Sequence, residues 1–344
     1  MSSRELARVV RSVALGLLVA IACGTSALAA QPGQPQPEPV GIALEGFPYP
    51  HSVGFMPVTI EGEPLRMAYM DVPPSANANG RTVLLLHGRN FPASYWEGVI
   101  RALAGAGYRV VAPDQIGFGK SSKPTFAYDF DTMARNNAAL LHWLGLNDVD
   151  VVAHSMGGML GIRIARAYPE RVRKLVLEAP IGLEDYRAYV PPVETERLLA
   201  QERGLTADAY RKQLVSNYAV ASPATVEPFV ELRERVKGSG EYERWLRSFV
   251  NSYQVIYREP VVHEIPLIAA PTLFIMGAND HNAPGRPFAP AELRQKMGEN
   301  ARLAQDLAAR MPKGRAVVFE GIGHLVHMDA EARFNDEVLR FLAQ

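Results

Sequence analysis

One segment near the middle of the chain constrains the fold most strongly. Residues 151–158 read VVAHSMGG, so an apolar strand runs directly into a helix with Ser155 at the junction. A serine at such a turn has its hydroxyl raised to solvent above the helix N-terminus, which is typical of a nucleophile. Small residues, here Ala153 and Gly157, are needed because strand and helix approach closely. The alternative is a serine that only caps a helix after a glycine-rich turn, and the strand–turn–helix context favours the nucleophile.

Strands and helices alternate on both sides of this turn. Short apolar runs and amphipathic runs predict strands over 58–61, 65–72, 82–86, 109–112, 149–153, 174–179, 272–276 and 316–319, and helices over about 94–107, 131–144, 156–167 and 330–343. The first two strands flank a Gly-Glu-Pro turn and form a hairpin. The order strand, helix, strand indicates a mostly parallel sheet with helices on both faces.

Residues 182–266 interrupt this alternation. They are rich in Glu, Arg, Leu and Tyr, contain no convincing strand, and are longer than an ordinary crossover, so they predict a helical insertion above the sheet. Within it, Trp245, Phe249, Tyr253 and Tyr257 recur every four residues and share one face of a helix. The first three are candidate substrate-binding residues in an apolar lid over the serine. The competing and favoured interpretation is that the aromatic stripe packs the insertion against the core.

A serine hydroxyl needs a general base, and the base needs an orienting acid. His324 follows Gly321 and Gly323 just after the last predicted strand, where a flexible loop can carry an imidazole over the edge of the sheet. His327 lies three residues further on and is the alternative base. We favour His324 because the glycines give that loop its freedom.

The acid is expected at the carboxyl end of a strand between the serine and the histidine. Asp280 meets this requirement, since it leaves the strand 272–276 through a tight turn at Gly277. Its rivals are Glu178, at the end of the preceding strand, and Asp185, in the insertion. The order Ser155, Asp280, His324 is then nucleophile, acid, base.

These motifs together resemble the α/β-hydrolase superfamily, and in particular its capped esterase- and lipase-like members. Besides the serine turn, the resemblance rests on His87-Gly88, on residues 113–122 (PDQIGFGKSS), on the turn 277–280 and on Gly323-His324. It covers residues 55–344. It implies an eight-stranded sheet, a core formed by residues 47–181 and 267–344, and a helical cap over 182–266 inserted after strand six.

The resemblance also implies where an oxyanion would bind. The family takes one backbone N–H from the residue after the nucleophile, here Met156, and the other from the residue after the His-Gly pair, here Arg89. Asn90 is the alternative for the second donor, because Arg89 departs from the usual small or aromatic residue. Haloalkane dehalogenases and most epoxide hydrolases of this fold carry aspartate at the nucleophile position, so Ser155 argues against both activities. Lactonases and carbon–carbon bond hydrolases keep the serine.

The N-terminus has the pattern of an export signal. Arg4, Arg8 and Arg11 precede the apolar run 13–22, and Ala-Leu-Ala at 27–29 forms a cleavage site. We therefore expect a cleaved signal peptide over 1–30, a Pro/Gln-rich solvated linker over 31–46, and a secreted or periplasmic protein without stable membrane insertion. A lipid anchor at Cys23 is the minor alternative.

Composition narrows the class of protein. The 344 residues include 36 basic and 36 acidic side chains, so the basic excess that is usual in nucleic-acid binders is absent, and the single cysteine excludes an intrachain disulfide. No His, Asp and Glu group has metal-ligand spacing, so no metal or cofactor is expected. The sequence predicts an exported serine hydrolase that cleaves a carboxylic ester of a small to medium apolar substrate. The alternatives are a lactonase or carbon–carbon bond hydrolase, and a non-catalytic binding protein that retains the fold. The oligomeric state is left open.

Overall fold

The computed structural model describes residues 38–344, so the predicted signal peptide over 1–30 lies outside the described residues. The centre of the fold is one sheet of eight strands in the order β1-β2-β4-β3-β5-β6-β7-β8. The strands are β1 (Val53–Ile60), β2 (Glu63–Val72), β3 (Thr82–Leu86), β4 (Arg109–Pro113), β5 (Val149–His154), β6 (Val172–Glu178), β7 (Thr272–Gly277) and β8 (Gly314–Phe319). Only the β1–β2 and β2–β4 pairs are antiparallel. The predicted mostly parallel α/β fold is therefore confirmed.

Helices cover both faces of this sheet. The α-helices of the described residues, four of which belong to the insertion discussed below, are α1 (Glu97–Gly105), α2 (Phe130–Trp143), α3 (Met156–Ala167), α4 (Thr195–Arg203), α5 (Ala207–Tyr218), α6 (Glu227–Lys237), α7 (Tyr242–Arg258), α8 (Ala291–Arg294), α9 (Asn300–Ala308), α10 (Val326–Asp329) and α11 (Glu331–Ala343). Strand β3 shows why both faces are apolar. Its alternate residues Leu84 and Leu86 join the core under α2, α3 and α9, while Val83 and Leu85 join the core under α1 and α11.

The predicted insertion lies between β6 and β7. Within the described residues this stretch holds four α-helices, α4 to α7, and no strand. Helix α7 is amphipathic, because Leu246, Phe249, Val250 and Val255 are buried while the charged residues of the helix are exposed. These four helices are called the cap below.

The first strand is longer than the sequence pattern indicates, since β1 begins at Val53 rather than at residue 58. The sequence pattern misses residues 53–57 because Gly54 and Pro57 are residue types that are rare inside sheets. Pro57 is tolerated because β1 is an edge strand, where a missing N–H on the outer side costs no ladder hydrogen bond.

The predicted solvated linker over 31–46 is wrong for the part that the structure describes. Val40, Ile42 and Leu44 are buried and pack against α6 of the cap. The backbone N–H of Val40 also donates to the carbonyl of Arg235, at 3.1 Å. Three alternating apolar residues after a Pro-rich stretch are too few to predict a strand. They become a packed segment only because the cap supplies a surface for them.

Candidate active site

Ser155 sits on a strained turn between β5 and α3. Its backbone angles are φ 56° and ψ −119°, in a region that non-glycine residues rarely adopt. The backbone N–H of Ser155 donates to the carbonyl of Glu178 on β6, at 3.1 Å. A Cβ at Gly157 would lie 2.3 Å from the carbonyl oxygen of Leu86, so only glycine fits there. The turn is thus fixed by two neighbouring strands, and it brings the serine hydroxyl to the carboxyl edge of the sheet.

The structure brings Ser155, His324 and Asp280 together. The serine Oγ lies 2.9 Å from Nε2 of His324, and Nδ1 of His324 lies 3.0 Å from Oδ2 of Asp280. Both His324 and Asp280 are almost fully buried, with exposures of 0% and 1%. The second carboxylate oxygen of Asp280 accepts the N–H of Asn282, at 3.0 Å. In this geometry Asp280 holds the proton of His324 on Nδ1, and Nε2 is free to accept from the serine hydroxyl.

Glycines allow the two loops that carry the base and the acid to converge. A Cβ at Gly277 would lie 2.1 Å from the carbonyl oxygen of Gly323, and a Cβ at Gly323 would lie 2.0 Å from that of Tyr218 in the cap. The N–H of His324 donates to the same carbonyl of Tyr218, at 2.7 Å. The glycines before His324 are therefore required for close approach as well as for freedom of the loop.

The rival residues have other partners. His327 donates from Nδ1 to Glu178, with distances of 2.8 and 3.0 Å to its two carboxylate oxygens, and the N–H of His327 reaches the same carboxylate at 2.8 Å. Asp185 pairs with Arg187. The Glu178–His327 pair is a second buried acid–imidazole pair beside the first, and it anchors the loop that carries His324.

A buried polar chain that sequence reasoning missed lies beneath the serine turn. Nε2 of His154 lies 3.0 Å from the backbone carbonyl oxygen of His324 and must donate to it, since a carbonyl only accepts. Burial lowers the pKa of His154 well below its ordinary value, so the ring is neutral and its Nδ1 accepts. The hydroxyl of Tyr95 therefore donates to Nδ1 of His154, at 3.0 Å, and accepts the N–H of Gly88, at 3.0 Å.

This chain connects the loop after β3 with the backbone of His324. Burial also raises the pKa of Tyr95 well above its ordinary value, so the hydroxyl stays protonated. No local sequence signal marks Tyr95, because it lies in the turn that leads into α1 and resembles any aromatic residue at a helix start.

The two predicted oxyanion donors face no competing acceptor. Met156 is the first residue of α3, where helix N–H groups have no intrahelical partner. Arg89 lies three residues after the end of β3. Within residues 38–344, neither the N–H of Met156 nor that of Arg89 has a hydrogen-bond partner. The backbone N–H of Asn90, the alternative, likewise has no hydrogen-bond partner in these residues, while its side-chain amide donates to the hydroxyl of Tyr218.

The hydroxyl of Ser155 opens into a cavity between the core and the cap, called the serine cavity, with a volume of about 130 Å³. Its lining includes Arg89, Ser155, Leu198, Glu202, Leu214, Tyr253, Ile256 and Phe288. Of the three predicted substrate-binding aromatics, Tyr253 borders this cavity. Trp245 and Phe249 stack on each other, with ring centroids 4.8 Å apart, and line a separate, adjoining cavity.

Comparison with known proteins decides the family. Residues 83–337 match the model of the Alpha/beta hydrolase family. The chain belongs to the alpha/beta hydrolase family. This hydrolase is 31% identical over 296 residues to a 2-hydroxy-6-oxononadienedioate/2-hydroxy-6-oxononatrienedioate hydrolase of Burkholderia vietnamiensis. The alignment covers 84% of this chain and 94% of the relative. An enzyme with the same name from Paraburkholderia phymatum is 31% identical over 291 residues, covering 82% of this chain and 93% of that relative.

A solved structure is similar over almost its whole length. The crystal structure of a probable hydrolytic enzyme from Pseudomonas aeruginosa has 40% sequence identity and a TM-score of 0.86, covering 89% of this hydrolase and 99% of that chain. Within the described residues, no group of His, Cys, Asp and Glu could hold a metal ion. In the same part of the chain, no helix is long and apolar enough to cross a membrane.

Proposed function

We propose that the protein is a serine hydrolase that transfers the acyl part of its substrate to Ser155. The observation that carries this proposal is the buried series of hydrogen bonds from the serine hydroxyl to His324 and from His324 to Asp280, at 2.9 and 3.0 Å. A serine that only capped α3 would need neither partner. The strained backbone of Ser155 supports the same role, because such strain persists where the surrounding structure enforces it.

The geometry supports a two-step reaction. Ser155 Oγ attacks the substrate carbonyl carbon while Nε2 of His324 takes its proton, and the N–H groups of Met156 and Arg89 bind the oxyanion. As the bond to the leaving group breaks, His324 returns the proton to that group. Water then attacks the acyl-enzyme with His324 again as the base, which releases the acid and restores the serine hydroxyl. Asp280 keeps the imidazole in the correct tautomer and stabilises its positive charge.

A carbon–carbon bond next to a ketone is the first candidate for the bond that is cleaved. Two relatives that match more than four-fifths of this chain are named as hydrolases of 2-hydroxy-6-oxo acids, which contain such a ketone. Cleavage of such a bond requires that His324 deliver a proton to a carbon leaving group. An ester, the activity expected first from the sequence, is the second candidate. Ester cleavage requires only Ser155, His324 and Asp280 and the two N–H donors described above.

One substrate panel tests the proposal. Purified protein is assayed with a 2-hydroxy-6-oxo-diene acid, an enol lactone and a series of 4-nitrophenyl esters, with Ser155→Ala as the matched control. We expect the diene acid to be the best substrate by kcat/KM. A clear preference for an ester or a lactone moves the assignment to that bond. Equal turnover by wild type and Ser155→Ala on every substrate contradicts the serine mechanism itself.

The binding-protein alternative has a direct test as well. A fluorophosphonate probe labels only an activated serine, because the serine hydroxyl attacks the phosphorus of the probe only when a base removes its proton. We expect labelling of the wild type and none of Ser155→Ala. An unlabelled wild type that is folded contradicts catalysis and favours binding.

We also propose that the protein is exported, on the strength of the basic start, the apolar run 13–22 and the Ala-Leu-Ala site at 27–29. Intact-mass analysis of protein from an expressing bacterium should show a new N-terminus near Ala30 or Gln31. A lipid-modified Cys23 would place the protein at a membrane surface, and a retained Met1 would contradict export.

A further inference from the structure

A second cavity adjoins the serine cavity. This side cavity has a volume of about 60 Å³ and lies among Leu44 of the N-terminal segment, Phe118 of the core, and Arg233, Trp245 and Phe249 of the cap. The two cavities share Arg89 and Asn90 in their linings. A substrate whose carbonyl lies at Ser155 therefore has a second space within reach, on the far side of Arg89.

The charges around these cavities do not balance. Arg89 and Arg233 line the side cavity, and no acidic residue of the described chain lines it. Glu202, in the wall of the serine cavity, is the carboxylate that serves both arginines. It lies 2.7 Å from Nη2 of Arg233 but 3.8 Å from Nη2 of Arg89, too far for a hydrogen bond. Two cations thus share one anion.

The core side of the side cavity does not supply the missing negative charge. Asp114 lies behind Gly119 and accepts the hydroxyl of Tyr49 and the N–H of Lys120. The ammonium group of Lys120 lies near Asp114 and offsets its charge. The lining of the side cavity therefore stays positive.

The guanidinium groups of both arginines are fixed by neighbours and are only partly paired. Arg233 is only 5% exposed, and its Nε has no hydrogen-bond partner among the described residues. Arg89 donates its Nε to the hydroxyl of Ser252, at 2.8 Å, and its guanidinium lies 3.9 Å from the ring centroid of Phe249. These contacts orient the guanidinium of Arg89, but their acceptors are neutral, so within the described residues its charge is balanced only by the shared Glu202 at 3.8 Å.

We propose that the side cavity binds the distal end of the substrate's acyl group and that this end carries a carboxylate. The aromatic and aliphatic walls fit the intervening methylene chain, and the guanidinium groups fit the planar anion. If the arginines only tied the cap to the core, each would be expected to have its own buried acceptor. This inference rests on the proposed acyl transfer to Ser155 and adds the class of acyl group.

Matched ester pairs test the inference. The substrates are 4-nitrophenyl monoesters of adipic and suberic acid, each compared with the same ester capped as a methyl ester, so that only the terminal charge differs. Shorter diacids are avoided because their aryl monoesters cyclise without an enzyme. We expect kcat/KM to favour the free acid by roughly 10- to 100-fold, as one charge-assisted pair allows.

Two variants should change the preference in opposite directions, and a third is the control. Arg89→Gln should remove most of the preference for the acid, since the backbone N–H stays in place and only the guanidinium is lost. Glu202→Gln should increase the preference, because it removes the internal counterion. Arg203→Met is the control, since Arg203 is an exposed cap arginine next to Glu202 that pairs with Glu243 and lines neither cavity. It should change the preference by less than about twofold.

The outcomes separate this inference from the proposed function. If no ester of either kind is cleaved, calorimetry of adipate binding to the Ser155→Ala protein decides the anion site. The proposed function fails only if the diene acid is not turned over either. Binding that weakens in Arg89→Gln supports the site. Equal kcat/KM for acid and capped esters, or an equal effect of Arg89→Gln on both, overturns the inference while leaving the serine mechanism intact.

Discussion

Replacing Tyr95 by phenylalanine tests the buried chain beneath the serine turn with the loss of one oxygen atom. In the wild type this hydroxyl accepts the N–H of Gly88 and donates to Nδ1 of His154, both at 3.0 Å. The variant keeps the ring, which stacks on Phe91 with centroids 5.2 Å apart. The change therefore removes two hydrogen bonds and almost no packing.

The expected cost follows from what the substitution leaves behind. The Gly88 N–H and the His154 Nδ1 each lose a partner, and an unsatisfied buried polar group costs about 1–3 kcal/mol. Tyr95 also borders a surface cavity, so a water molecule can enter and reduce the penalty. We therefore expect a loss of about 2–3 kcal/mol in the free energy of unfolding, near the lower end of the sum.

The catalytic rate should also fall, because Gly88 precedes Arg89, whose N–H is a predicted oxyanion donor, and His154 holds the backbone carbonyl of His324. Small displacements of catalytic groups cost up to about 100-fold, so we expect kcat to fall roughly 10- to 100-fold with little change in KM. Urea unfolding followed by circular dichroism gives the stability, and initial rates give kcat. Tyr69→Phe is the control, since its hydroxyl accepts only one exposed bond from Trp143 and its loss should cost less than about 0.5 kcal/mol. If both variants behave alike, the chain has no positioning role.

Three further predictions concern the site and its support. Ser155→Ala and His324→Ala should each lower turnover by roughly 10⁴-fold while His327→Ala loses much less, which kinetics on the best substrate will measure; an inactive His327→Ala beside an active His324→Ala would reverse the choice of base. Gly157→Ala should yield little folded protein, because its Cβ would lie 2.3 Å from a carbonyl oxygen of β3, and a soluble variant with normal melting temperature would refute the close approach. Burial lowers the pKa of Lys123 to about 7, so between pH 7 and 10 the unfolded chain binds more protons than the folded one. Stability relative to Lys123→Met should then rise with pH, by up to about 1.4 kcal/mol per pH unit, and a flat difference would show that Lys123 keeps its charge.

Local sequence signals were enough for the elements that line up along the chain. The apolar run 82–86 predicts β3, and the strand–turn–helix pattern around Ser155 predicts β5 and α3, because burial and helix periodicity are written in neighbouring residues. The same is true of the candidate base and acid. Glycines next to His324 and Asp280 mark tight loops at strand ends, and parallel strands bring such ends to one edge of the sheet.

Contacts between distant segments could not be read in this way. From the sequence, His327 is a plausible alternative to His324 as the base, and Glu178 is a plausible alternative to Asp280 as the acid. Only the folded loops show that these two residues bind each other, although they are 149 residues apart along the chain. Tyr95 has no local mark that would connect it with His154, and the aromatic stripe of α7 does not reveal which of its members borders the serine cavity.

By itself the sequence determined the alternation of strands and helices, the turn that presents Ser155, and the loops that carry its partners, since each depends on a few adjacent residues. Only the tertiary structure decided how the N-terminal segment packs on the cap, how the cap divides the space above Ser155, and that Arg89 and Arg233 share the single carboxylate of Glu202. The physical reason is that burial, charge balance and hydrogen-bond pairing are properties of groups that meet in space. Their separation along the chain is set by the topology rather than by the local pattern.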